Sequence, residues 1–174
     1  MKILSIDPSS TKTGYAVFDD AKRGEKLIEA GNVHGKADAR PLDRVEAMIQ
    51  ELYIILTEHE VNTILIEIPD GKVHGRLQGV NMGGLAIYGM AVGAVWWAMR
   101  GRWAGVKPIS VNEWTNGVPK AERAATTQLR HPEQDLTKDS GHDAADAIGM
   151  ADWWLANRAV NTARKAIKKM RKGE

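Results

Sequence analysis

The 174-residue chain contains no cysteine. That excludes disulfides and thiolate metal sites, although it does not by itself name a compartment. Histidine is sparse as well. His34, His59, His74, His131 and His142 are scattered, with no pair at zinc-ligand spacing. Any metal would therefore be held by carboxylates, which favours magnesium or manganese over zinc. No secretory leader is visible, because Asp7 interrupts the opening apolar run after a few residues. Leu77 to Met99 lacks charge and is nominally long enough to cross a bilayer. Gln78, Asn81 and the glycines at 79, 83, 84, 89 and 93 make it a weak insertion segment. A buried helix is the expectation there, in a cytoplasmic protein with no membrane contact.

With 43% hydrophobic and 26% charged residues, the chain has the composition of one globular domain. Its net charge of +2 is unevenly spread. From Val160 onward six basic residues (Arg164, Lys165, Lys168, Lys169, Arg171, Lys172) face one acid, Glu174. The chain divides on this basis into a folded domain, residues 1–159, and a basic tail, residues 160–174. Such a tail is either a polyanion contact or a solvated end.

The pattern predicts an α/β fold. Residues 2–7 and 14–18 read as strands joined by the polar turn PSSTKT, and a third strand follows around Leu27 to Val33. Pro41 suits the first turn of a helix carrying Leu42, Val45, Met48, Ile49, Leu52, Ile55 and Leu56 at helical period. NTILIEIP is a β-branched run typical of a strand covered on both faces. A glycine-rich loop (69–84), an apolar helix (about 85–100) and the strand VKPISV come next; Pro108 points to an edge position. One helix is expected to begin near Lys120, and a last one to run from about His142 through Trp154, as far as Ala159 at most. Three antiparallel strands followed by helix-linked parallel strands give a five-stranded mixed sheet with helices on both faces.

Four acids then stand out. Asp7 ends the first strand, Glu67 lies inside LIEIP, and Asp143 and Asp146 sit three apart on one face of the last helix. Taken singly, each has an ordinary reading as a turn cap, a solvated strand residue or a helix-start acid. If the first and fourth strands are neighbours, Asp7 and Glu67 lie side by side at one end of the sheet, and the last helix packed across that end would bring Asp143 and Asp146 to them. Carboxylates that close cannot all stay ionised without cations. Two divalent ions about 4 Å apart would resolve the conflict and could align a water for in-line displacement at phosphorus.

The motifs carrying these acids resemble a known family. IDPSSTKTGYAVFD is similar to the first motif of the RuvC-like Holliday junction resolvases, LIEIP to their second, and GHDAADAIGMADW to their D-x-A-D-A helix. The resemblance implies a ribonuclease H-like fold and a homodimer. It also implies nicking of four-way DNA junctions that depends on magnesium or manganese and leaves 5′-phosphate and 3′-hydroxyl ends. Asp7, Glu67, Asp143 and Asp146 would be both the catalytic and the metal-binding residues, with two ions per site. Lys120 stands where the family often keeps a basic residue. It is either a contact to the scissile phosphate or an ordinary helix-start lysine.

Ser9 replaces the family's usual glycine, which is tolerable if its φ stays negative. The loop after Glu67 has no aromatic wedge; Val73, Leu77 and Met82 are the apolar candidates. These departures suit a divergent or phage-type member. DNA contacts are expected from Lys72, His74, Arg76 and Lys120, and in the tail from Arg164, Lys165, Lys168 and Lys169. Gly89 and Gly93 would let a second helix approach, with Tyr88, Val92, Trp96 and Trp97 supplying area for a two-fold dimer; the same helix must also pack on the sheet. Trp153 and Trp154 read as packing residues.

Three rival functions follow. A nucleotide-binding protein of the actin type needs a second phosphate loop and subdomain, which this length does not hold, so no nucleotide cofactor is expected. A non-catalytic junction binder would have no reason to keep four mutually repelling acids. A related nuclease acting on flaps, other branched DNA or RNA–DNA hybrids remains open.

Overall fold

The computed structural model describes residues 1–21, 24–69, 82–102 and 104–172, with backbone alone at 21, 24, 25, 82 and 159–172. Five strands form one sheet in the order β3-β2-β1-β4-β5. β1 (Lys2–Asp7), β2 (Lys12–Ala21) and β3 (Gly24–His34) make the antiparallel meander. β4 (Thr63–Ile68) adds to β1 in parallel, and β5 (Gly105–Ser110) adds to β4 in parallel at the edge. The edge position explains how Pro108 is accommodated: a proline that cannot donate to a ladder costs least there.

Alternation along the central strands sorts side chains to two cores. Leu4, Ile6, Ile64 and Ile66 face α1 (Pro41–Glu58) and α2 (Met82–Arg100). Ile3 and Leu65 face the other way, where Ile148, Met150, Ala151 and Leu155 of α5 (Asp143–Lys172) cover the sheet. On α1, Val45, Met48, Leu52 and Leu56 are buried. Leu42 is exposed, because it lies in the first turn before the helix reaches the core. Trp153 and Trp154 pack against the second core, as expected. Among the described residues no helix is long and apolar enough to cross a membrane.

Two elements depart from the sequence reading. Val111 does not continue β5 but begins a short helix, α3 (Val111–Thr115), which is followed by α4 (Lys120–Arg130). α5 does not stop near Ala159; its backbone stays helical to Lys172. The stretch beyond Val160 is rich in Ala, Lys and Arg and holds no glycine or proline before Gly173, so intrinsic propensity carries the helix past its apolar face.

Candidate active site

Asp7 and Glu67 are brought together by register. Ile6 pairs with Ile66 across the parallel β1–β4 ladder, so the next residue on each strand is an acid. Both acids share the strand face of Ile3, Ser5 and Leu65, the face covered by α5. Asp7 is 6% exposed and Glu67 7%. The first turn of α5 delivers Asp143 and Asp146, and Asp146 is only 2% exposed.

That close docking requires Gly14, which lies directly opposite Asp7 on β2. A Cβ there would sit 2.1 Å from the carbonyl oxygen of Asp143. The entry to α5 is equally constrained: Gly141 has φ +96° and His142 φ +60°. Asp139, 5% exposed, caps the helix by accepting the Ala145 N–H at 3.0 Å, and it also accepts from Asn32 Nδ2 at 3.0 Å. Burial alone would raise the Asp139 carboxyl, but the Ala145 and Ala144 amides, Asn32 and Lys12 hold it below the usual range. The first-motif turn is closed by Thr13, whose Oγ1 accepts from Ser9 N–H at 3.2 Å. Ser9 is not among the described residues with positive φ, consistent with the tolerance expected of it.

Lys120 reaches in among three of the four acids. Its Nζ lies 2.7 Å from Asp143 Oδ1, 3.2 Å from Asp146 Oδ2 and 3.7 Å from Asp7 Oδ2. Burial would lower its pKa; the hydrogen bond to Asp143 and the charges of Asp7 and Asp146 outweigh that and raise it. Burial pushes the Asp7 carboxyl well above the carboxylate range, and repulsion from Glu67 adds to the shift. Burial likewise raises Glu67, against a hydrogen bond from Trp114. Tyr88 is pushed up to about 12 by burial and by the charges of Glu67 and Asp7.

Three further residues of the site escaped sequence reasoning. Trp114 Nε1 donates to Glu67 Oε2 at 2.7 Å. Arg123 forks onto Asp146, Nε to Oδ1 at 3.0 Å and Nη2 to Oδ2 at 2.7 Å. Lys12 Nζ lies 3.1 Å from Asp143 Oδ2 and 3.5 Å from Asp139 Oδ1, and donates to the Ser140 carbonyl. Arg123 carried a legible signal, since it lies three residues after Lys120 and so on the same helix face. Trp114 and Lys12 carried none.

Among the described residues, no group of three or more acid or histidine side chains is spaced to hold an ion as it stands. Lys120 occupies the space between them. The donor chemistry nevertheless fits a hard divalent cation: the acids offer only carboxylate oxygens, and repulsion among Asp7, Glu67 and Asp146 adds to the cost of burying them together.

The remaining expected residues divide. Lys72, His74 and Arg76, with the wedge candidates Val73 and Leu77, lie outside the described residues; so do the side chains of Met82, Arg164, Lys165, Lys168 and Lys169. On α2, a Cβ at Gly89 or Gly93 would meet open space, and with half-buried Trp96 they line a cavity of about 370 Å³ against Ile68, Pro69 and Pro108. Trp97 is 75% exposed. Val92 is buried in its own chain at 6%, and Tyr88 lies within reach of the charges on Glu67 and Asp7.

A mixed sheet of this order, with acids ending two adjacent parallel strands and opening the helix across them, defines a ribonuclease H-like fold with an acidic centre. The same architecture is found in Thermus thermophilus RuvC in complex with Holliday junction substrate, at 18% identity and a TM-score of 0.67, covering 90% of this chain and 95% of that one. A yeast mitochondrial Holliday junction resolvase is also similar, at 13% identity and a TM-score of 0.63, covering 97% and 85%. The chain belongs to the crossover junction endodeoxyribonuclease RuvC family, whose model it matches over residues 3–152. It is 27% identical over 161 residues to the RuvC of Campylobacter lari, covering 92% of this chain and 99% of that one. To RuvC of Helicobacter pylori strain G27 it is 37% identical over 67 residues, a stretch spanning 42% of that protein. The family's nucleases are metal-dependent.

Proposed function

We propose that this chain is a metal-dependent endodeoxyribonuclease that resolves four-way DNA junctions by paired nicks, leaving 5′-phosphate and 3′-hydroxyl ends. The observation that carries the reading is the convergence of Asp7, Asp143 and Asp146 on one cation position, with Glu67 beside Asp7 on the neighbouring strand, in a chain of the RuvC family. The four acids would hold two magnesium or manganese ions. When bound, such ions neutralise the phosphate and activate water for in-line attack.

The chain's own residues set up that chemistry. Asp7 and Glu67 present oxygens at the sheet end, Asp143 and Asp146 present theirs from α5, and the buried setting keeps bulk water from screening them. Lys120, with its side chain 41% exposed, is the cation at the mouth of the site and can turn from Asp143 to a DNA phosphate. A second copy of the chain docks on the glycine face of α2 through Gly89, Gly93, Trp96 and exposed Trp97. Tyr88 and Val92 of the same helix join that contact, Val92 lining the same cavity as the two glycines. Two active sites related by that two-fold would cut opposed strands. The division into a nuclease domain (1–159) and a basic segment (160–174) is kept as a functional one, although the α5 backbone runs through both; a cytoplasmic location accords with this role.

The direct test is cleavage of a synthetic four-way junction beside duplex, flap and RNA–DNA hybrid substrates, with magnesium and without. The junction is expected to be cut in paired, symmetric nicks, and the other substrates weakly. Preference for the hybrid would sink the reading. Truncation after residue 159 is expected to weaken junction binding and to flatten its salt dependence, by about 0.9 in the log–log slope for each phosphate that is no longer neutralised. An unchanged slope in a binding titration would reduce the segment to a passive end.

A further inference from the structure

The two cations that α4 sends to the acids, Lys120 and Arg123, are not equivalent. Lys120 stands at the mouth of the site with its side chain 41% exposed, whereas Arg123 is 17% exposed and lies behind Asp146. Arg123 engages both oxygens of Asp146, donates Nη1 to the Val118 carbonyl at 2.6 Å, and lies 4.9 Å from the centre of the Trp114 ring. Trp114 in turn donates to Glu67, 47 residues away in sequence. A continuous chain of contacts thus runs from the acid of β4 to the innermost acid of α5, without passing through Asp7, Asp143 or Lys120.

We infer that Arg123 and Trp114 are positioning residues that set the separation of Asp146 and Glu67, and so determine how tightly the site takes a divalent cation. This rests on the proposed metal-dependent function. The chemistry favours orientation over charge supply. A planar guanidinium fork fixes both the direction and the rotation of a carboxylate, whereas an ammonium fixes neither. Trp114 carries no charge, yet it makes the one neutral hydrogen bond described for Glu67 from outside the acids, on a buried oxygen. Donors behind a ligating carboxylate hold its oxygens in place, and their loss generally costs about 10–100-fold in metal affinity or activity.

Arg123→Lys keeps the charge and loses the fork. Trp114→Phe keeps an aromatic ring beneath the guanidinium and loses the N–H donor. Each full-length variant is titrated with Mn2+ by calorimetry in the absence of DNA, its thermal melt is recorded, and junction cleavage is measured at saturating metal. Both variants are expected to bind Mn2+ about 10–100-fold more weakly than the parent while still melting cooperatively. At saturating metal, kcat falls and KM for the junction stays unchanged. If Arg123→Lys binds Mn2+ as tightly as the parent, charge alone matters and the inference fails. It fails equally if Trp114→Phe binds as the parent does. Should Arg123→Lys lose its cooperative melt, the Trp114→Phe result decides by the same criterion. A parent chain that takes up no Mn2+ overturns the metal-dependent reading itself, and the inference with it.

Discussion

Asp7→Asn is expected to abolish nicking, by about 10³-fold or more, while leaving branched-DNA binding intact. The amide keeps the shape of the carboxylate but removes a charged oxygen from the centre of the site, and losing a negative charge cannot weaken a polyanion contact. Gel-shift and cleavage assays on one junction separate the two effects. The same variant should be more stable than the parent in metal-free buffer at neutral pH. Burial holds the Asp7 pKa above its unfolded value, with Glu67 adding repulsion, so the native state binds the proton more tightly than the unfolded chain. Native stability therefore falls as pH rises from the ordinary carboxylate range through the folded pKa. Asparagine removes that cost, so its advantage should vanish in acid. Each 1 kcal/mol regained is worth about 2–4 °C in a chain of this size. A parent and variant that melt together at neutral pH, or a variant that nicks normally, would contradict the assignment of Asp7.

Gly14→Ala should be nearly as damaging, although Gly14 has no side chain to contribute. Its added Cβ would stand 2.1 Å from Asp143 O and 2.7 Å from Ala144 N, both backbone atoms that cannot turn aside. The start of α5 must move, and it carries Asp143 and Asp146 with it. Overpacking of this kind costs about 1–3 kcal/mol, and a displacement near 1 Å at a reacting centre costs about 10²-fold in rate. Thermal melting together with single-turnover cleavage tests this. A variant that retained full cleavage would show that α5 can shift without disturbing its acids.

The acids were legible in the sequence because each depends on a short-range rule. Glu67 interrupts a β-branched run, Asp7 ends one, and Asp143 and Asp146 differ by less than one helical turn. Two long-range conditions remain, adjacency of β1 with β4 and a last helix lying across that end of the sheet; the parallel ladder and the docking of α5 on β1 and β2 meet both. The donors behind the acids were not legible in the same way. Trp114 lies on a five-residue helix too short to show a period, and its reach to Glu67 depends on where β5 ends. Lys12 belongs to a polar turn that reads as solvated, yet it meets Asp139 from 127 residues away. Asp139 itself looks like loop composition; only the docked helix makes it a cap. The far end of α5 is hard to read for the opposite reason: backbone propensity is sufficient to carry the helix there without an apolar face.

The strand order has a kinetic consequence. Asp7 and Glu67 become neighbours only when β4 inserts beside β1, after the meander and α1 have separated them in the chain. Asp143 and Asp146 arrive later still in sequence, on a helix that docks across β1, β2 and β3. Closing such long loops precedes any reward from the contacts they allow, so non-local assemblies of this kind form slowly. Local hairpins and helices can form early without creating any part of the acidic centre. Cutting power should therefore return only in the last step of refolding, and a nascent or partly unfolded chain would be unable to nick DNA prematurely.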